Sequence, residues 1–275
     1  MELSCNYLFL KMKGSVALTK CSSGGVVPVL YDEIRKEGGH CFGVKFNESF
    51  TGLEYVEVDE SNIDAVLGAK YLDVEISDGI LKTIRNYLDS GDKVLVVGRP
   101  CQCHLLRMQL REYPNLILVE IMCGGVPKSN DLWNDYIGEL KREYGDVYSV
   151  NFRAKNRGWN NYSMLIEFID GTVLCESHKT NQYLADCQKL DNLNPKCVKC
   201  PFGAKIPSQA DIICGDAFGM EYIGKNDDAG TSIAILNTDN GRNIIKSVMD
   251  KFEFDYTDKS ELTGISVFNR GIRIQ

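Results

Sequence analysis

The sequence lacks any apolar run approaching the 20 or so residues that a membrane-crossing helix needs. Its opening, MELSCNYLFLKMKG, holds only a short apolar run with no small-residue cleavage pattern after it, so no signal peptide is expected. It lacks an excess of positive charge. The net charge of -7 argues against a dedicated nucleic-acid or anionic-membrane binder. It lacks repeats, low-complexity tracts and Ser/Gly-rich linkers, so residues 1–275 read as one domain. It also has only one Cys-x-x-Cys pair, which excludes a self-contained zinc ribbon with two knuckles.

Against these absences stand eleven cysteines. The expected compartment is the cytoplasm, where structural disulfides are rare, so the surplus points to metal, cluster or thiol chemistry. About four thiols suffice for one cluster or closed metal site. The others, including Cys5, Cys21, Cys41, Cys175 and Cys187, read as small buried hydrophobes, with Cys187 and Cys214 as alternative ligands.

The pattern of elements predicts an α/β fold, a mostly parallel sheet flanked by helices. VVPVLYDEIRK reads as a helix after the Gly-rich turn Ser22–Gly25, and HCFGVKF and LEYVEVDE read as strands. A helix follows Ser77 as its N-cap, with Ile80, Ile84, Tyr87 and Leu88 on its core face. KVLVVG and NLILVEIM are continuous apolar strands separated by the helix CHLLRMQLREY, as expected where helices cover both faces of a sheet. A hairpin is expected at Asp170-Gly171, followed by a cysteine-bearing irregular insertion over about 179–210. ADIICGD and TSIAILNT are strands and NGRNIIKSVMDKF is a helix.

In such sheets ligands bind beyond the carboxyl ends of the strands. KVLVVG delivers Gly98 to Cys103 to that edge and NLILVEIM delivers Cys123, so Cys101 and Cys123 are expected to converge. The knuckle Cys197-x-x-Cys200 needs further ligands, and Cys101 and Cys123 are the best placed. Four such thiolates suit a 4Fe-4S cluster or an all-thiolate zinc site, and a redox dithiol remains an alternative. Cys103 is expected to pack, and His104 either donates protons or packs. Ser22, Ser23, Gly24 and Gly25 precede a helix and suit a phosphate. Arg153, Lys155 and Arg157 in NFRAKNRGW form a local anion site or a solvated loop, and Asp216 ends a strand at the same crevice or caps a turn.

Several motifs together resemble the coenzyme F-420 hydrogenase/dehydrogenase beta-subunit family. They are Ser23-Gly24-Gly25, Gly68-Ala69-Lys70-Tyr71, Gly98-Arg99-Pro100-Cys101-Gln102, Cys123-Gly124-Gly125-Val126-Pro127, Asn151-Phe152-Arg153 through Trp159, Cys197-x-x-Cys200-Pro201-Phe202, and Ala210-Asp211-Ile212 through Asp216. They stand in the family's order over about residues 20–240, most like the branch found in bacterial polysaccharide loci.

The resemblance implies a flavin-dependent iron–sulfur oxidoreductase. It implies a 4Fe-4S cluster on Cys101, Cys123, Cys197 and Cys200. It implies FAD or FMN near Ser22 to Gly25, Lys70, Asn151, Arg153 and Lys155. Arg99, His104 and Asp216 are the candidate catalytic residues. Arg99 stands where the family usually has Thr, and Gly124 where it has His, so a proton role of that His would move, with His104 as the candidate. The N-terminal ferredoxin-like segment carried by many members is absent. The resemblance therefore implies a ferredoxin-type electron donor, a small-molecule substrate or deazaflavin as acceptor, and leaves room for a homo-oligomer. The rival reading is a non-catalytic zinc-binding or scaffold protein of a glycan pathway. A third is a transferase with Cys101 as nucleophile.

Overall fold

The computed structural model describes residues 5–202, 206–218 and 228–258. Its centre is a run of parallel strands: β2 (His40–Phe46), β4 (Val94–Gly98), β5 (Leu116–Ile121) and β9 (Ile212–Asp216). Antiparallel strands flank this run on both sides. β3 (Leu53–Glu57) borders β2. On the other side come β10 (Ser232–Leu236), β1 (Tyr7–Met12) and β11 (Phe252–Tyr256), giving the order β11-β1-β10-β9-β5-β4-β2-β3.

The expected mostly parallel sheet is therefore mixed, parallel only in its middle. The difference lies at the chain ends. The apolar run YLFLKM forms β1, inserted between β10 and β11, a non-local pairing that local pattern does not encode.

Helices cover both faces because alternate strand residues point to opposite sides. Leu95, Val119 and Ile212 pack with Leu30 and Ile34 of α2 (Val26–Lys36) and Ile245 of α9 (Asp239–Ser247). Val96 and Leu118 pack with Ile84 and Leu88 of α4 (Asp78–Asp89) and Leu106 of α5 (Pro100–Gln109). The Ser77 side chain caps α4 as expected, accepting from the Ile80 N–H.

The hairpin at Asp170-Gly171 joins β7 (Ser163–Phe168) to β8 (Val173–Ser177). It belongs to a second, three-stranded sheet with β6 (Val147–Ala154). This sheet shares an aromatic core with α6 (Asp131–Tyr144) and α7 (Gln182–Cys187), built on Trp133, Phe152 and Tyr183. Asn151 to Ala154 thus lie in a strand and not in a loop, and the region read as irregular carries α7 and the short α8 (Pro195–Val198). No helix among the described residues is long and apolar enough to cross a membrane.

The Gly-rich turn after α1 (Ser15–Lys20) is pressed against β1 and β10. A Cβ on Gly24 would stand 2.1 Å from the Leu10 carbonyl oxygen and 2.5 Å from the Ser232 nitrogen. Both are backbone atoms of paired strands and cannot step aside. Gly24→Ala is expected to cost about 3 kcal/mol or more in urea denaturation. Gly138→Ala, at an open helical position, should stabilise by about 0.5–1 kcal/mol. A Gly24→Ala variant as stable as the parent would contradict this close approach.

Candidate functional site at the carboxyl edge of the sheet

The parallel strands end at a cleft of about 410 Å³, within the usual range for small-molecule sites. Strand β4 delivers Gly98 and Arg99 to it, β5 delivers Cys123, and β9 delivers Asp216.

The β4–α5 turn is held rigidly. The Gln102 side-chain oxygen accepts from the Arg99 backbone N–H at 3.0 Å and from the Tyr55 hydroxyl at 3.0 Å. Its side-chain nitrogen donates to the Val74 carbonyl at 2.9 Å. Arg99 pairs with Asp73 at 2.8 Å and donates to the Val74 carbonyl at 2.6 Å. Pro100 then opens α5 where its missing N–H costs nothing, and Cys101 follows in the first turn.

The Cys123–Gly125 loop lies directly against the cysteine knuckle. Gly125 has φ +105°, and a Cβ there would sit 3.3 Å from the Cys197 Cβ. The Asn194 N–H donates to the Val126 carbonyl at 2.9 Å, and Asn194 caps α8 just before Cys197.

All four candidate thiols are free, and each of three feels others of the set. Burial pushes the Cys101 thiol up; Arg99 works against this and Cys197 adds to it. Burial pushes Cys123 to about 11, partly offset by the Gly125 N–H and Arg99, with Cys101 and Cys197 adding to the rise. Burial raises Cys200 too, with Cys197 and Cys101 contributing. The loops that carry Cys101 and Cys123 follow neighbouring parallel strands, and the Cys123–Gly125 loop lies against the knuckle at Cys197. Among the described residues, no group of three or more His, Cys, Asp or Glu side chains is disposed to hold a single metal ion.

On the other wall of the cleft stand Ser22, Ser23, Gly25, Lys70, Arg153 and Asp216. Arg153 pairs with Asp216 at 2.6 Å and lies 5.0 Å from the ring centroids of both Tyr162 and Phe218. Burial works against its charge, and the surrounding groups, led by Asp216, more than offset this, so the guanidinium stays ionised. Among the described residues, its Nε and Nη2 are buried without a hydrogen-bond partner. Buried donors are normally satisfied, and these two lie on a residue that lines the cleft.

The remaining candidates have other duties. Ser23 donates to the Thr231 carbonyl at 2.8 Å, and Gly24 donates its N–H to the Ser232 hydroxyl at 2.9 Å, so this turn's polar groups anchor β10. Gly24 is not part of the cleft lining. Lys155 turns inward and donates to the carbonyls of Ser23 at 2.7 Å and Leu18 at 3.1 Å, tying β6 to the Gly-rich turn. Asn151 accepts from the Arg153 N–H at 2.9 Å, outside the lining. His104 also lies outside it, 5.2 Å from the Phe202 ring, centroid to centroid. Cys103 is fully buried, as expected.

Sequence reasoning missed Asp73, Tyr162 and Phe218. The one available signal was that Tyr162 and Phe218 stand near the basic and acidic ends of motifs already singled out.

The family model for the C terminus of the coenzyme F420 hydrogenase/dehydrogenase beta chain matches residues 91–261. Ten solved chains match this one. One comes from the xenon-derivatised F420-reducing [NiFe] hydrogenase complex of Methanosarcina barkeri. It superposes with a TM-score of 0.62 over 98% of this chain and 90% of that chain, at 17% identity, which speaks for the fold. No curated protein matches. The ordered motifs, the cysteine loops at the sheet edge and the family match lead to one conclusion: the chain belongs to the coenzyme F420 hydrogenase/dehydrogenase beta-subunit family.

Proposed function

We propose that the chain is a flavin- and 4Fe-4S-dependent oxidoreductase. In this reading it carries electrons from a ferredoxin-type donor to a small substrate or deazaflavin. One observation carries the reading: Cys123, one of the four candidate thiols, lines the same cleft as Arg153, two of whose donors have no partner among the described residues.

The residues fit both groups. Four free thiols on three loops match the donor chemistry of a cluster, whose ligands stand wider apart than those of a single ion. Arg153 offers two nitrogens to acceptor atoms such as ring carbonyls or phosphate oxygens. The first turn of α2, with Gly25 to Pro28 in the cleft wall, points the positive end of its dipole there. FAD or FMN would lie between these features and supply the exchange between one-electron and two-electron chemistry.

The chain's own contribution is placement and charge. Arg99, held by Asp73, favours ionised Cys101 and Cys123 and so favours their use as ligands. Because these thiols are protonated when free, ligation releases protons. The Asp216 carboxylate fixes the guanidinium that faces the cleft.

The test is protein purified without oxygen, with iron, sulfide, zinc and flavin quantified on one sample. About four irons, matching sulfide and one flavin per chain are expected. Cys197→Ser should lower iron to below about one per chain. Full iron in that variant would sink the ligand assignment, and zinc without flavin would support a scaffold instead.

A further inference from the structure

Lys70 is the one cation in the cleft wall for which no acidic partner is found among the described residues. It follows α3 (Ile63–Val66) in a turn where Gly68 takes φ +78°. This turn brings two carbonyls to the ammonium, Leu67 at 2.9 Å and Gly68 at 3.4 Å. An ammonium has three hydrogens and accepts nothing, so two are taken by the carbonyls and one remains. A neutral amine has two hydrogens and a lone pair. The same two carbonyls therefore anchor both protonation states, and in each the third position is left for the cleft.

The other charges nearby are already committed. Arg99 is held by Asp73, Arg153 by Asp216, and Lys20, at the end of α1, pairs with Asp64 on α3. Tyr71 is partly buried, and desolvation keeps it protonated at neutral pH. Burial alone pulls the Lys70 ionisation down, to about 7, where an amine exchanges protons near neutrality.

We propose that Lys70 is the acid of this cleft, its Nζ giving a proton to a polar double bond of the substrate as that bond is reduced. The electrons come from the reduced flavin of the preceding reading, on which this inference rests. A reduced flavin, when bound, would supply a hydride equivalent and end oxidised, with a new C–H bond at a carbonyl or imine carbon or a new O–H bond at one oxygen of a quinone, whose other oxygen takes the proton. The C=O or C=N π bond opens toward its heteroatom, and that heteroatom takes the Nζ proton. The neutral amine regains a proton from water.

Two measurements test this. The first needs no flavin: an NMR titration of isotopically labelled lysine in the whole chain, with Lys70→Arg for assignment. The Lys70 amine should be half-ionised near pH 7, and a midpoint above about 9 overturns the proposal.

The second uses the flavin-loaded chain, reduced photochemically and mixed with 1,4-benzoquinone, which takes protons with its electrons, or with ferricyanide, which takes electrons only. Lys70→Met and Lys70→Arg should each slow the quinone reaction about 100-fold more than the ferricyanide reaction. Equal slowing of both, or recovery by arginine, marks Lys70 as a fixed cation and overturns the proposal. A chain that takes up no flavin sinks the cofactor reading, while the titration still decides the ionisation of Lys70.

Discussion

Arg153→Ala is expected to destabilise the folded chain by about 3–5 kcal/mol, read as a shift of the urea midpoint at unchanged slope. The Arg153 side chain is 6% exposed and its partner Asp216 is 18% exposed, so the alanine leaves a largely buried carboxylate without its counter-charge. It also loses the cation–π attraction of the guanidinium to the Tyr162 and Phe218 rings. Arg153→Lys would not repair this, because an ammonium offers neither the flat face nor the two remaining fork nitrogens. Arg153→Met combined with Asp216→Asn removes both charges together and should recover most of the stability. If Arg153→Ala cost less than about 1 kcal/mol, the pair would have to be solvated and the orphaned nitrogens would lose their significance.

Asp211→Ala should cost a similar amount, about 3–5 kcal/mol, for a reason unrelated to the cleft. The Asp211 side chain is 3% exposed. It accepts from Arg107 at 2.7 Å, the Leu118 N–H at 2.8 Å and the Thr238 hydroxyl at 2.6 Å. One carboxylate therefore joins α5, strand β5 and the residue that caps α9. Alanine leaves one buried and two partly buried donors to find new partners. Asparagine keeps one acceptor and should lose roughly half as much. Thermal unfolding of the two variants against the parent decides this, and equal losses would mean that charge, not acceptor count, is what matters.

The central strands and their covering helices were legible because each is a continuous apolar run or a 3.6-residue stripe with its own caps. The ends of the sheet were not. YLFLKM and FEFDY are short, and their partners lie at the far end of the chain. The loops after β4 and β5 were legible as neighbours because strand polarity alone dictates which loops share an edge. The emphasis that motifs place on Lys155 and His104 has a common cause. A basic or imidazole side chain in a motif suggests a ligand, yet Lys155 spends its hydrogens on backbone carbonyls and His104 packs beside Phe202. The contact of Arg153 with two rings depends on tertiary packing that brings them together, so no spacing could reveal it.

The placement of β1 between β10 and β11 sets a clock on biogenesis. The Gly24–Ser232 hydrogen bond joins residues 208 positions apart. A ribosome therefore exposes β1 and the Gly-rich turn long before either strand that flanks them exists. Through most of synthesis YLFLKM is an apolar strand with two open edges, the kind of surface that chaperones hold and that aggregates when they do not. The cleft wall built on this turn closes only when the last strands arrive. Occupancy of the cleft is then a step for the finished polypeptide, and translation that stalls before β10 leaves its wall unbuilt.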